Sequence, residues 1–486
     1  MHSIQRYKGN LAILVIIALC LVSRIPMLTS SNMLLDSDES IVGLMAKHLY
    51  DRQELPLYFY GQRYGFSLIE ELFILPFYAV MGMTGLAVKL AMLGLWTTGV
   101  VFTYKTLLKL SKAGGMLPLL LTLLLIVCPA WTEWSMKARG GYLTAFTLSA
   151  VLVYLLSDEE RKPKPTTYML AGLLMAVLYE SMPLWGPLPA MLLLYRLVKD
   201  FSVAKLLSVI ITLVLPLVLL AIHKQSLHEF HKPDPTLPMA DWWQNIVRIP
   251  SFLYVSLHGF HSYYTELQPT WFQKFFAAGF VLLMAATIIL AVIKIVKGRF
   301  KDVSIIILTT SIFISLFVTI MTPFPNYRFM LPVTVEVLLL MQMVWGSRKP
   351  QLIPILLLIP IGVGSLFTFR QLKFTALTEK NILQASDYLQ KHQIKHVYSL
   401  HMYLAWQMNF YSQGKVQCRD IAPVGRVPEL FTEIDNALKA GKPTAVIGVD
   451  NDFGSLRITN PVVMDVIYIK ENVPISEVQK GFAIAP

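Results

Sequence analysis

Apolar residues dominate the chain from Leu11 to Phe369 in long blocks separated by short polar segments. A helix that crosses a bilayer needs about 20 predominantly apolar residues. By that measure eleven spans are expected, near residues 11–28, 86–108, 115–130, 142–156, 167–180, 184–198, 203–222, 272–293, 303–321, 329–345 and 352–369. The block Leu68 to Val80 is shorter, about 13 residues, which suits an interfacial or re-entrant helix. Beyond Phe369 the pattern loosens. Glu379 to Lys391 repeats at helical spacing, and Val397 to Leu400, Thr444 to Val449 and Val462 to Ile469 read as strands. The expected fold is a polytopic α-helical membrane domain over residues 1–369, with a long first loop at 29–85, and then a small α/β domain over 370–486.

Composition excludes a soluble globule. Hydrophobic residues make up 55% of the chain and charged residues 15%, against about 25% charged in an average soluble domain. A net charge of +12 would suggest nucleic acid in a soluble protein. Here the basic residues fall on alternate loops: Lys105, Lys109 and Lys112; Arg161, Lys162 and Lys164; Arg196, Lys199 and Lys205; Lys294, Lys297, Arg299 and Lys301; Arg348 and Lys349. That is the positive-inside signature of a membrane protein, and it leaves no nucleic-acid partner. The first span follows Arg6 and Lys8 without a small-residue cleavage site, so it reads as an uncleaved anchor with a cytoplasmic N-terminus. If Leu68 to Val80 crossed, every later loop would change sides and the lysines would lie outside. Eleven spans place the C-terminal domain outside the cell membrane. The three cysteines, Cys20, Cys128 and Cys418, lack the spacing of a disulfide framework or thiolate metal site.

Chemistry concentrates in the first loop. Asp36, Asp38 and Glu39 stand where the helical pattern Ile41 to Leu49 begins. Acids are favoured in a first turn, so simple capping is the plain alternative. Three acids within four residues repel one another, however, and call for a cation or a proton nearby. Further along, Tyr58, Phe59, Tyr60, Tyr64 and Phe66 interleave with Gly61, Gln62, Arg63 and Gly65, a pattern suited to sugar stacking or to an interfacial aromatic belt. Glu70 and Glu71 open the short apolar helix, as caps or as site residues.

The pair Asp38–Glu39 with the helix after it, the stretch Tyr58 to Ser67, the segment Cys128 to Tyr142 and the run Asn326 to Pro332 together resemble the GT-C superfamily of membrane glycosyltransferases, in the protein O-mannosyltransferase-like branch that includes the lipid A aminoarabinose transferases. The resemblance implies transfer of a sugar from a polyprenyl-phosphate donor in the lipid bilayer to a hydroxyl on a glycan, lipid or protein acceptor. It implies Asp38 as general base. Glu39 and Asp36 would orient it or hold a divalent metal such as Mg or Mn through hard oxygen ligands. Lys137, Arg139 and Arg328, cations on the outer face against the positive-inside bias, would take the phosphate, with snorkelling to lipid headgroups as the plain alternative, and Arg63, Tyr60 and Glu70 would complete the substrate site. Where the aminoarabinose transferases carry a second Asp after the third span, this chain has Gly140 and Gly141, with Glu133 as the available substitute.

Other readings rest on other residues. A transporter or lipid-linked glycan flippase would account for the spans, but it asks for charges at mid-membrane, where Glu336 stands nearly alone. Asp450 and Asp452 form a D-x-D pattern of nucleotide-sugar enzymes, in a domain small for that chemistry; a turn after a strand is the ordinary account. His228, His231, His258 and His261, in pairs three apart, have a spacing that could bind zinc with Glu266, but without cysteine they read as surface histidines. Glu180 and Ser181, between the fifth and sixth spans, either touch substrate or end a helix.

Overall fold

The structure, a computed structural model, describes residues 2–29, 34–111, 116–158, 163–227, 229, 239–258, 271–299, 301–322, 326–346, 356, 359, 361–363, 377–422, 425–449, 456 and 460–482. Its helices in chain order are α1 (His2–Val22), α2 (Ile25–Leu28), α3 (Ser37–Tyr50), α4 (Leu68–Met81), α5 (Gly85–Leu110), α6 (Leu117–Val127), α7 (Pro129–Trp134), α8 (Tyr142–Leu156), α9 (Pro165–Ser181), α10 (Pro187–Lys199), α11 (Val203–Gln225), α12 (Met239–His258), α13 (Trp271–Lys297), α14 (Val303–Met321) and α15 (Leu331–Trp345). A helix stands at each of the first ten expected spans; the eleventh, 352–369, lies almost wholly outside the described residues. Among the described residues, six stretches are by themselves long and apolar enough to cross a membrane: Asn10–Leu28, Gly85–Leu110, Val203–Gln225, Lys274–Lys297, Val303–Met321 and Tyr327–Trp345. The chain is a polytopic helical membrane protein.

Burial orders the bundle. The apolar window of α5 is 72% buried and that of Tyr327–Trp345 83%, so these form its centre, whereas α11 is only 6% buried. Ile211, Leu219 and Ile222 of α11 face outward, as lipid-facing side chains do when no water has to be avoided. Short α4 exposes Leu72, Phe73 and Val80 on one face while Ile74 and Tyr78 pack inward, the two-sided character of an interfacial helix. The basic ends gather at one end of the bundle. Lys109 donates to the carbonyl of Tyr154 at 2.8 Å, Arg196 to that of Leu156 at 2.8 Å, and Lys294 to that of Val344 at 3.2 Å. These are last-turn carbonyls, which cations satisfy well.

Residues 377–482 form the expected α/β unit. Its elements are α16 (Glu379–Lys391), β1 (His396–Ser399), α17 (Met402–Tyr411), β2 (Gln417–Arg419), α18 (Pro428–Lys439), β3 (Thr444–Val449), β4 (Val462–Met464), β5 (Ile467–Glu471) and α19 (Ile475–Gly481). The sheet order is β2-β1-β3-β5-β4. β1 lies parallel to both β2 and β3, pairing Val397 with Cys418 and with Ala445, while β5 runs antiparallel to β3 and β4. The stretch read as one strand, Val462 to Ile469, is instead a hairpin, turned at Asp465 with φ +58°. The unit packs α17 directly on α3: Gly43 of α3 lies so close to Phe410 that an added Cβ would stand 2.4 Å from the ring.

Candidate active site

Asp36 and Glu39 build the start of α3 as a reciprocal capping box: the Asp36 carboxylate accepts from the Glu39 N–H at 3.0 Å, and the Glu39 carboxylate accepts from the Asp36 N–H at 3.0 Å. Capping and chemistry are therefore divided within the triad. Asp38, between the two, takes no part in the cap. Its side chain is 33% exposed, against 3% for Asp36 and 1% for Glu39.

The cations that three clustered acids demand come from two other elements. Lys89, in the second turn of α5 and fully buried, pairs with Glu39. The segment after α7 supplies Lys137, 3.3 Å from Asp36 and 2.9 Å from Glu133, and Arg139, whose guanidinium pairs with Asp36 and stands 2.9 Å from Asp38. Burial disfavours the Asp36 anion, but Arg139, Lys137 and the Glu39 N–H outweigh it and hold Asp36 below the usual carboxylate range. Burial likewise works against charge on Lys137, and Glu133 first, then Asp36, prevail and raise its pKa. The second carboxylate that the sequence left to Glu133 is thus a buried partner of Lys137 that also accepts from the Tyr327 hydroxyl at 2.7 Å.

Two buried groups hold the cationic segment. Arg24, fully buried at the end of the first span, donates to the carbonyls of Ile126 at 2.8 Å and Trp131 at 3.2 Å and to the Ser135 hydroxyl at 3.0 Å, with its guanidinium 4.5 Å from the Trp96 ring. Glu70 does not cap its own helix. Its carboxylate accepts the N–H groups of Arg139 and Gly140, both at 3.1 Å, and of Gly141 at 2.9 Å. Gly140 and Gly141 have φ of +62° and +101°, which turns these amides toward one acceptor and favours glycine. Burial raises Glu70 to about 7 in spite of those bonds, and raises its neighbour Glu71 to about 8.

Arg328 joins from the 3₁₀ turn Tyr327–Met330 that leads into α15. Its guanidinium lies 5.9 Å from the Trp134 ring and 5.3 Å from that of Tyr142, and Arg139 lies 5.5 Å from the same Trp134. The two arginines therefore share one aromatic platform. Asp36, Asp38, Glu39, Lys137, Arg139, Arg328 and Glu70 come together. Arg63 and Tyr60 make their contacts elsewhere. Arg63 is exposed, bonding the Leu227 carbonyl and standing 3.7 Å from Glu229. The Tyr60 hydroxyl meets His48 at 2.6 Å and lines a cavity of 460 Å³ with Phe59, His223 and Arg426. Phe59 packs on Gly140 as well, so that cavity adjoins the Arg139 turn. Glu180 is buried under Tyr58 at 3.0 Å and paired with Lys224.

Lys89 and Arg24 escaped the sequence reading. The available signal was a lone cation in or beside an otherwise apolar helix, which marks a buried partner.

A divalent metal on the triad would have to displace protein cations: Asp36 is occupied by Arg139 and Lys137, Glu39 by Lys89 and the cap. Among the described residues no group of three His, Cys, Asp or Glu side chains is arranged to hold one, so the donor set as built does not fit. His228, His231, His261, Glu266, Asp450 and Asp452 lie outside the described residues.

No protein-family model matches the chain, and no curated protein matches it in sequence. Solved structures match in fold. ArnT from Cupriavidus metallidurans bound to undecaprenyl phosphate superimposes with a TM-score of 0.61 at 11% identity, covering 95% of this chain and 98% of that one. The apo state of the same protein gives 0.56 at 11%, covering 95% and 97%. The apo oligosaccharyltransferase of Archaeoglobus fulgidus gives 0.50 at 10%, covering 92% of this chain and 70% of that one. At such identities the likeness is one of architecture, and that architecture is the GT-C membrane fold which the sequence resembles.

Proposed function

We propose that the protein is a glycosyltransferase that moves a sugar from a polyprenyl-phosphate donor to an acceptor hydroxyl at the outer face of the cytoplasmic membrane. The observation that carries this reading is Asp38: a partly exposed carboxylate beside two buried ones, braced by an arginine that shares an aromatic platform with a second arginine. Asp38 accepts the acceptor's hydroxyl proton as that oxygen attacks the anomeric carbon. The bond from the anomeric carbon to the phosphate oxygen breaks, and polyprenyl phosphate leaves with the bonding pair. Arg139 and Arg328 take up the charge that develops on the phosphate. Lys137, held between Glu133 and Asp36, sets Arg139's partner Asp36 in place. Undecaprenyl phosphate bound to ArnT, a protein of the same fold, supports the donor class. The basic residues at the opposite end of the bundle support the outer face.

The test is Asp38→Asn in a strain lacking the protein. The deletion is expected to accumulate a lipid-phosphate sugar, the parent gene to clear it, and the variant to clear it about 10²–10⁴-fold more slowly at parent membrane levels. Clearance at the parent rate refutes the base assignment. A flippase reading would be favoured instead if the sugar accumulated only on the cytoplasmic leaflet.

A further inference from the structure

The contact between the C-terminal unit and the acidic cap is more specific than hydrophobic docking requires. On one face of α17, Gln407 and Tyr411 stand four residues apart and so project side by side. Between them they hold both polar groups of one peptide unit's residue: Gln407 Nε2 donates to the Leu35 carbonyl at 2.7 Å, and the Leu35 N–H donates to the Tyr411 hydroxyl at 3.2 Å. Leu35 immediately precedes Asp36, the cap of α3. All three residues are buried, Leu35 at 1%, Gln407 at 4% and Tyr411 at 6% exposure. The amide oxygen of Gln407 is buried with no hydrogen-bond partner among the described residues. A buried amide half-satisfied in this way costs stability that an apolar side chain would not; the bond it makes here is the one to the Leu35 carbonyl. Phe410, between them in sequence, closes on Gly43 two turns into α3, and the Tyr411 hydroxyl abuts Gly85, where α5 begins one turn before Lys89. The same short helix therefore touches the residue before Asp36, the body of α3 and the start of the helix that neutralises Glu39.

We propose that the C-terminal unit is a positioning element of the active site: α17, through Gln407 and Tyr411, fixes the Leu35 peptide and with it the geometry of Asp36, Asp38 and Glu39. This rests on the glycosyltransferase reading. Gln407 and Tyr411 touch no reacting group; they act through the backbone that carries the base. A misplacement of the base by a fraction of an ångström to an ångström is costly for transfer.

The experiment uses full-length protein with Gln407→Met and Tyr411→Phe, alone and together, which keep volume and remove the two hydrogen bonds. Amide hydrogen exchange is followed at Leu35–Ser40 and, as internal control, in β1 and β3, and clearance of the accumulating lipid-phosphate sugar is followed in the deletion strain. Expected is exchange at Leu35–Ser40 about tenfold faster with β1 and β3 unchanged, clearance at least about tenfold slower, and undecaprenyl phosphate binding at parent affinity. Parent exchange and clearance in the double variant overturn the proposal. So does exchange that rises equally in β1 and β3, which would make both residues ordinary fold contacts. If the double variant fails to reach the membrane, Tyr411→Phe alone is expected to speed exchange at Leu35. If Asp38→Asn clears the lipid at the parent rate while exchange responds as expected, the enzyme reading fails and the positioning contact stands.

Discussion

Asp36, Asp38 and Glu39 lie within four residues yet occupy three electrostatic settings, and the difference between them comes from partners that are distant in sequence. Glu39 depends on Lys89. Removing one member of a fully buried ion pair leaves an uncompensated charge and costs about 3–5 kcal/mol, whereas replacing both is often close to neutral. Lys89→Met is therefore expected to lower the melting temperature in detergent sharply, and Glu39→Gln with Lys89→Met to recover much of the loss; equal loss in both would contradict the pairing. Glu70 gives a pH signature. Its carboxyl stands at about 7 in the folded chain against an ordinary 4.5, because burial outweighs its backbone bonds. Between those values the folded state holds more protons than the unfolded one, so stability is expected to fall as pH rises from 4.5 to about 7 and to level off above. Glu71 acts in the same sense up to about 8. Melting curves from pH 5 to 9 should show this slope, and Glu70→Gln with Glu71→Gln should flatten it. The acidic triad was legible in the sequence because clustering is a local property. The role of Glu70 was not: an acid in a first turn looks like a cap, and its true partners, the amides of Arg139 to Gly141, lie some seventy positions away.

Among the elements, periodicity and length carried the reading furthest where a segment meets one environment. The Glu379–Lys391 helix and the Thr444–Val449 strand appear with the bounds that their patterns predict. α12 lies between the seventh and eighth expected spans, where no helix is predicted, because Asp241, Gln244, Asn245 and Arg248 break its apolar residues into runs too short for a span. The turn at Gly140–Gly141 is the element on which the site hinges. At Gly141 an added Cβ would stand 2.8 Å from the Phe66 carbonyl and 2.9 Å from Ser181, at φ +101°. Gly141→Ala is expected to cost about 1–3 kcal/mol of stability and to depress transfer by displacing Arg139; an unchanged melting temperature would show that the turn relaxes freely.

At the scale of the molecule, two ends of one bundle carry opposite tasks. Lysines and arginines satisfy helix carbonyls at one end, while the other end buries Asp36, Glu39 and Glu133 with Lys89 and Lys137 and leaves Asp38 partly exposed, with the C-terminal unit bonded to the residue before the cap. The alternation of basic loops made this division readable from sequence, since parity needs only the count of crossings. The docking of α17 on α3 was not readable, because it joins residues more than 370 positions apart. An alkaline phosphatase fusion after Phe482 is expected to be active, and an inactive one would reverse the orientation.

Transfer from a lipid phosphate at the Asp38 site is open to direct reconstitution. Purified protein in liposomes, given undecaprenyl phosphate carrying the sugar that accumulates in the deletion strain together with a membrane extract as acceptor, tests it by the release of free undecaprenyl phosphate. Release with the parent protein and its loss with Asp38→Asn is the expected result. Release that is equal with both proteins, or absent with the parent, would contradict it.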